Sequence, residues 1–133
     1  AEPGQPWPMQ TDEDWQKWYD ACKDDVPILP ILRLANTLIR SADHKVEFWT
    51  GRYEACRKHT QDWLDRWSAF TACGSAPLRM RPLDEREDPD CVVKERFLGR
   101  YGRPDLIFED RQSVVDMWRR NGIMCAQVAE GNY

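Results

Sequence analysis

The sequence predicts an α/β fold, a parallel sheet in three layers with helices on both faces. Two observations predict it. Short apolar runs at 45–50, 78–81, 105–109 and 123–128 alternate with stretches of helical periodicity, and such alternation favours parallel strands joined by crossover helices. The third run stops abruptly in Glu109-Asp110, which stands two carboxylates at the carboxyl end of a strand, the edge where open α/β sheets bind ligands. Paired acids there suit a hard divalent cation and phosphate chemistry.

A chain of 133 residues is expected to form one domain: 1–10 irregular, 11–41 helical and suited to a small cap, 45–133 the α/β core. No apolar run approaches the ~20 residues of a membrane span, so no membrane partner is expected. The net charge of −4 disfavours broad clamping of duplex nucleic acid by its backbone. Five cysteines lie scattered without a CxxC pair, so reduced, core-filling thiols in a cytosolic protein are expected rather than a zinc site or disulfide framework.

Along the chain, Thr11 caps a first helix with acids in its opening turn, and Trp15, Trp18, Tyr19 and Cys22 share its apolar face. Pro30 suits the first turn of the next helix, whose expected face is Ile31, Leu34, Ala35 and Leu38, ending near Ser41. The strand 45–50 is expected to end at Gly51. Helix 53–70 follows, with Cys56, Thr60, Trp63, Leu64 and Trp67 on one face. After the loop 71–77 come strand 78–81, a charged loop at 82–89, and helix 90–98 carrying Lys94; Gly99 to Pro104 turn the chain into strand 105–109. Helix 112–120 is stopped by Asn121-Gly122, as a helix carboxyl end prefers, and strand 123–128 completes the core.

Three features then fall at strand ends or on a helix: Thr50-Gly51-Arg52, Lys94, and Glu109-Asp110-Arg111. Each has an ordinary reading taken singly, as a turn, a solvated lysine and a helix cap. In this order they resemble motifs II, III and IV of the haloacid-dehalogenase superfamily of phosphotransferases. In detail, Phe48-Trp-Thr-Gly-Arg52, Arg79-Met-Arg-Pro82, Glu109-Asp-Arg-Gln-Ser-Val-Val-Asp-Met-Trp-Arg-Arg120 and the ending Gln127-Val-Ala-Glu-Gly-Asn-Tyr133 resemble the phosphatase domain of phage polynucleotide kinase/phosphatases, from about residue 11 onward.

The resemblance implies a Mg²⁺-dependent 3'-phosphatase acting on terminal phosphates of nucleic acid, in the cytoplasm of a bacterial or phage-infected cell. Family chemistry runs through attack by an aspartate and an aspartyl-phosphate. By resemblance, Thr50 would hydrogen-bond the phosphoryl group and Lys94 would neutralise developing charge. Asp110, with Glu109, would bind Mg²⁺. Arg52, Arg81 and Arg86 are candidates for the nucleic-acid strand or its terminal phosphate, with a solvated surface arginine the ordinary reading of each. Arg111 is equally suited to pairing with a neighbouring carboxylate.

Two departures stand out. Glu109-Asp110 replaces the family's Asp-Asp, and the first motif, an apolar strand ending Asp-x-Asp-Gly-Thr, is absent. Asp12-Glu-Asp14 precedes a helix and Asp88-Pro-Asp90 lies in a loop, so the nucleophile and the general acid/base are missing. In this superfamily that strand lies mid-sheet, between the equivalents of 45–50 and 105–109. The expectation is therefore the carboxy-terminal part of a longer protein, inactive alone, its missing strand supplied by an upstream segment or a partner chain. Two other readings stand beside this one: a nucleotidase or small-molecule phosphatase, and a catalytically dead domain that binds nucleic acid or protein.

Overall fold

A computed structural model of the chain describes Glu13, residues 28–67 and residues 76–132. The expected helix from Thr11 and most of the loop 71–77 lie outside the described residues. Among those described, four α-helices and four short strands make an α/β fold with two two-stranded parallel sheets. They divide into two compact units, one ending at Leu83 and one beginning at Asp84. No described helix is long and apolar enough to cross a membrane.

The first unit opens with α1, Leu29–Arg40, which has proline in its first turn as expected and Ser41 as its carboxyl cap. Its buried face differs from expectation. Leu32 and Ile39 are buried, whereas Leu34 is exposed. Arg33, Asn36, Thr37 and Arg40 form a polar side, but the apolar arc opposite is wider than the strip that is buried, so periodicity does not pick out which part of it packs inward. Ile39 packs with Ala76, Val46 and Phe48.

Strand β1, Phe48–Tyr53, starts later and runs further than the expected 45–50. It pairs with β2, Leu78–Arg81, through Phe48↔Leu78, Trp49↔Arg79 and Tyr53↔Arg81. Three residues of β1 therefore stand opposite one of β2, a bulge that lifts Thr50-Gly51-Arg52 out of the ladder; Gly51 bends the strand rather than ending it. The crossover between the two strands is a 3-10 turn, Glu54–Cys56, followed by α2, Arg57–Trp67. Cys56, Leu64, Leu78 and Met80 form the core here, with Phe48, Tyr53 and Trp63 against them.

The second unit carries α3, Asp90–Tyr101, which passes through Gly99 instead of stopping at Leu98. A glycine inside a helix costs only about 1 kcal/mol. Phe97 and Tyr101 meet edge to face at 5.4 Å, and Arg100 pairs with Glu85, so the last turn is held from both sides. Gly102, at φ 96°, ends the helix. Strand β3, Ile107–Glu109, pairs in register with β4, Cys125–Gln127, each shorter than expected. Their crossover α4, Gln112–Arg120, has the expected bounds and stops at Gly122, φ 74°. Val114, Val115, Met117 and Trp118 face inward from α4 and meet Val93 and Phe97 as the fully buried residues of this unit. Burying each large side chain stabilises the fold by roughly 1.5–3 kcal/mol. Leu106 and Phe108, two positions apart on the other face of β3, stay exposed.

Candidate functional site

The β1 bulge builds a small turn from its own residues. The Arg52 backbone N–H donates to Thr50 Oγ1 at 3.1 Å, which fixes the hydroxyl at the end of the regular ladder. Arg81, at the end of β2, is buried, and its Nε donates to the Gly51 carbonyl at 2.7 Å. Thr50, Arg52 and Arg81 thus come together within the first unit, with Arg81 holding the turn in place. A guanidinium retains further donors beyond Nε, so this bond is compatible with a phosphate contact as well.

Within the second unit the ionic side chains converge. Lys94 lies one turn past Asp90 on α3, and its Nζ reaches Asp90 Oδ2 at 3.3 Å and Glu109 Oε2, at the end of β3, at 3.0 Å. Arg111 Nη1 reaches the same Asp90 oxygen at 3.2 Å, which realises the carboxylate pairing that the sequence left open. All four side chains are largely removed from solvent. Burial pulls the Lys94 pKa down, but the Asp90 and Glu109 charges and their hydrogen bonds outweigh it and hold the ammonium above its ordinary value. Lys94 is therefore held as a cation at neutral pH. Arg86 lies half-buried in the turn after the 3-10 segment Leu83–Glu85.

The acidic loop itself is asymmetric. Glu109 Oε2 is held by Lys94, and Oε1 accepts the backbone N–H groups of Asp110 at 3.1 Å and Arg111 at 3.3 Å. Asp110 follows it at the amino end of α4, where the helix dipole favours an anion. Carboxylate oxygen is the right chemistry for a hard cation. The number of ligands falls short: among the described residues no group of three or more His, Cys, Asp or Glu side chains is arranged to hold a metal ion. The loop thus offers the donor chemistry of a hard-cation site with fewer side-chain ligands, among the described residues, than a complete one holds.

Residues 11–133 match the family described as the polynucleotide kinase PNKP phosphatase domain. The chain belongs to this family. Two solved structures share its fold. One is titled "Structure of the Pnkp1/Rnl/Hen1 RNA repair complex", with 23% identity and a TM-score of 0.74 over 86% of this chain and 37% of that one. The other, "Structure of Pnkp1/Rnl/Hen1 complex", has 24% identity and a TM-score of 0.73 over 86% of this chain and 40% of that one. The chain therefore spans well under half the length of either.

Asp90 is the residue that sequence reasoning passed over. The signal was present, since an acid in a helix's first turn and a lysine four residues on lie on one face. What the sequence could not show is that Arg111 and Glu109 arrive at the same place. Asp90 also belongs to one of the two Asp-x-Asp pairs in the chain; bonded to Lys94 and Arg111, it is occupied as an ion-pair partner. The other such pair, Asp12 and Asp14, lies outside the described residues.

Proposed function

We propose that this chain carries the Lys94–Asp110 part of a Mg²⁺-dependent phosphatase that removes 3'-terminal phosphates from nucleic-acid ends. The observation that carries the reading is the buried Lys94 ammonium bridging Asp90 and Glu109 beside Asp110. A cation held this way is already desolvated and oriented, so it can stabilise charge on a phosphoryl group without reorganising. In this reading Asp110 is a direct Mg²⁺ ligand, and Glu109 anchors the lysine. Thr50 hydrogen-bonds a phosphoryl oxygen. Arg52, Arg81 and Arg86 take the strand or its terminal phosphate. Bound Mg²⁺ would supply charge neutralisation at the phosphate.

The nucleophile belongs to an apolar strand ending Asp-x-Asp-Gly-Thr that these 133 residues do not contain, supplied by an upstream segment or a partner chain. Two structural facts support an absent strand. Among the described residues both sheets have two strands, whereas parallel sheets are ordinarily larger and covered on both faces, and Leu106 and Phe108 remain exposed. Both similar structures are complexes with partner chains, and one is an RNA repair complex, which favours nucleic-acid ends as substrate. A three-layer sheet with the missing strand at its centre is the complete form of this fold.

The test uses a polypeptide that joins such a strand to the amino side of the chain. It should release phosphate from a 3'-phosphorylated oligonucleotide with Mg²⁺, and lose activity steeply with salt. Release from free nucleotides alone would exclude the polynucleotide assignment and favour a nucleotidase. Specific binding without any turnover would mark a dead binding domain.

A further inference from the structure

Both anchors of the Lys94 ammonium run back to one short stretch of backbone. Glu109 Oε2 accepts from Lys94 Nζ at 3.0 Å. Glu109 Oε1 accepts the N–H groups of Asp110 and Arg111, so the path of these two residues sets where that carboxylate points. Asp90 Oδ2, the second anchor at 3.3 Å, is gripped in turn by Arg111 Nη1 at 3.2 Å. The tail that follows β4 packs on this same stretch. Gln127 Nε2 donates to the Asp110 carbonyl at 3.2 Å, and the Gln112 N–H donates to the Gly131 carbonyl at 2.6 Å. Gly131 is buried, and a Cβ there would sit 2.5 Å from the Asp110 oxygen, 2.9 Å from its carbonyl carbon and 3.0 Å from Arg111 Cα. All three are backbone atoms, so no flexible side chain can move aside.

We propose that Gly131 is a positioning residue for the Lys94 ammonium: its close approach lets the tail fix the Asp110–Arg111 backbone, and through it the two carboxylates that hold the lysine. The bearing on catalysis rests on the reading of Lys94 as the group that stabilises phosphoryl charge. The positioning itself involves only side chains and backbone of this chain, with no ligand. A methyl group at 131 must push loop and tail apart by roughly half an ångström, the tolerance within which a functional group keeps its productive geometry. Buried ion pairs offset their desolvation only when their geometry is good, so a displacement of that size loosens the grip on Lys94.

The test observes the Lys94 side-chain ammonium by heteronuclear NMR of the isotope-labelled 133-residue chain. Buried and bonded to two carboxylates, its protons should exchange with water slowly enough to give a signal, unlike those of the exposed Lys58; loss of the signal in Lys94→Arg assigns it. Gly131→Ala should speed this exchange about tenfold, the weight of one hydrogen bond to a charged group. The Ile107 amide, bonded to the Met124 carbonyl, should keep its protection and so report an intact sheet. Gln127→Ala, which removes the bond to the Asp110 carbonyl and adds no bulk, should speed ammonium exchange about threefold. The exposed neighbour variant Asn132→Ala should leave it unchanged. A tail that only stabilised the fold would leave ammonium exchange in the folded state at its wild-type rate. That rate in Gly131→Ala, with Ile107 protected, would overturn the positioning role. If Gly131→Ala exposes Ile107, a wild-type rate in Gln127→Ala would overturn it instead, and so would a wild-type chain with no Lys94 ammonium signal. The readout needs no turnover, so its failure is distinct from failure of the phosphatase reading, which is read as absent phosphate release.

Discussion

The two units of this chain use the same βαβ plan for different work. In the unit ending at Leu83, β1 and β2 hold a hydroxyl and arginines at a bulged turn, through bonds such as Arg52 N–H to Thr50 and Arg81 to the Gly51 carbonyl. In the unit beginning at Asp84, β3 and β4 present a charged cluster whose members come from a helix, a strand end and a loop. The second unit can bury four charged side chains because they neutralise one another, and because Trp118, Phe97, Met117 and three valines, all at 1% exposure or less, form a dry core within the same unit. The turn proposed to bind phosphate depends on a shaped backbone; the lysine proposed to stabilise charge depends on partners that offset its burial.

The contrast can be broken by removing one member from each unit. Lys94→Ala leaves Asp90 and Glu109 buried without their shared cation and should cost about 3–5 kcal/mol, read as a fall in the urea midpoint. Trp118→Ala should cost a similar amount, about 3–5 kcal/mol, through the cavity it leaves. In the first unit, Arg81→Ala removes one buried hydrogen bond to Gly51 and should cost about 1–3 kcal/mol. Thr50→Ala should cost about 1 kcal/mol or less while abolishing its proposed phosphate contact. Equal losses at Lys94 and Thr50 would erase the distinction between the units.

A smaller effect separates the units by pH. The Arg100 hydrogen bond, outweighing burial, lowers the Glu85 pKa below its ordinary value, with Arg96 adding to the effect. A lowered carboxylate pKa stabilises the fold above the unfolded-state value and loses that contribution as pH falls through the folded one. Acid titration of stability should therefore steepen below about pH 4.3, and Glu85→Gln should flatten it. Lys94 works at the other extreme: its raised pKa keeps its contribution intact until strongly alkaline pH. The smallest change is expected at the exposed Lys58–Asp62 pair, 3.3 Å apart, where Lys58→Ala should alter stability by only about 0.2–0.5 kcal/mol.

Sequence patterns gave β2 and α4 their bounds because both are closed by strong local signals, the turn at Asn121-Gly122 above all. They also singled out Thr50, Lys94 and the acidic loop. Which part of the α1 apolar arc is buried was not legible, since Ile31, Leu32, Leu34, Leu38 and Ile39 form an arc wider than the strip that packs inward. The continuation of α3 through Gly99 depends on Glu85 gripping Arg100 from outside the helix. Asp90's pairing with Arg111 and the fit of Gly131 against Asp110 are tertiary contacts between segments far apart in the chain, which no local pattern encodes.

The most direct measurement is phosphate release from a 3'-phosphorylated oligonucleotide at saturating Mg²⁺, by the 133-residue chain alone and by the same chain joined to an Asp-x-Asp-Gly-Thr strand. If the nucleophile lies on that strand and Lys94 serves it, the chain alone releases nothing. The completed protein then turns over, and Lys94→Met in it abolishes release. Mg²⁺-dependent turnover by the 133-residue chain alone would contradict this.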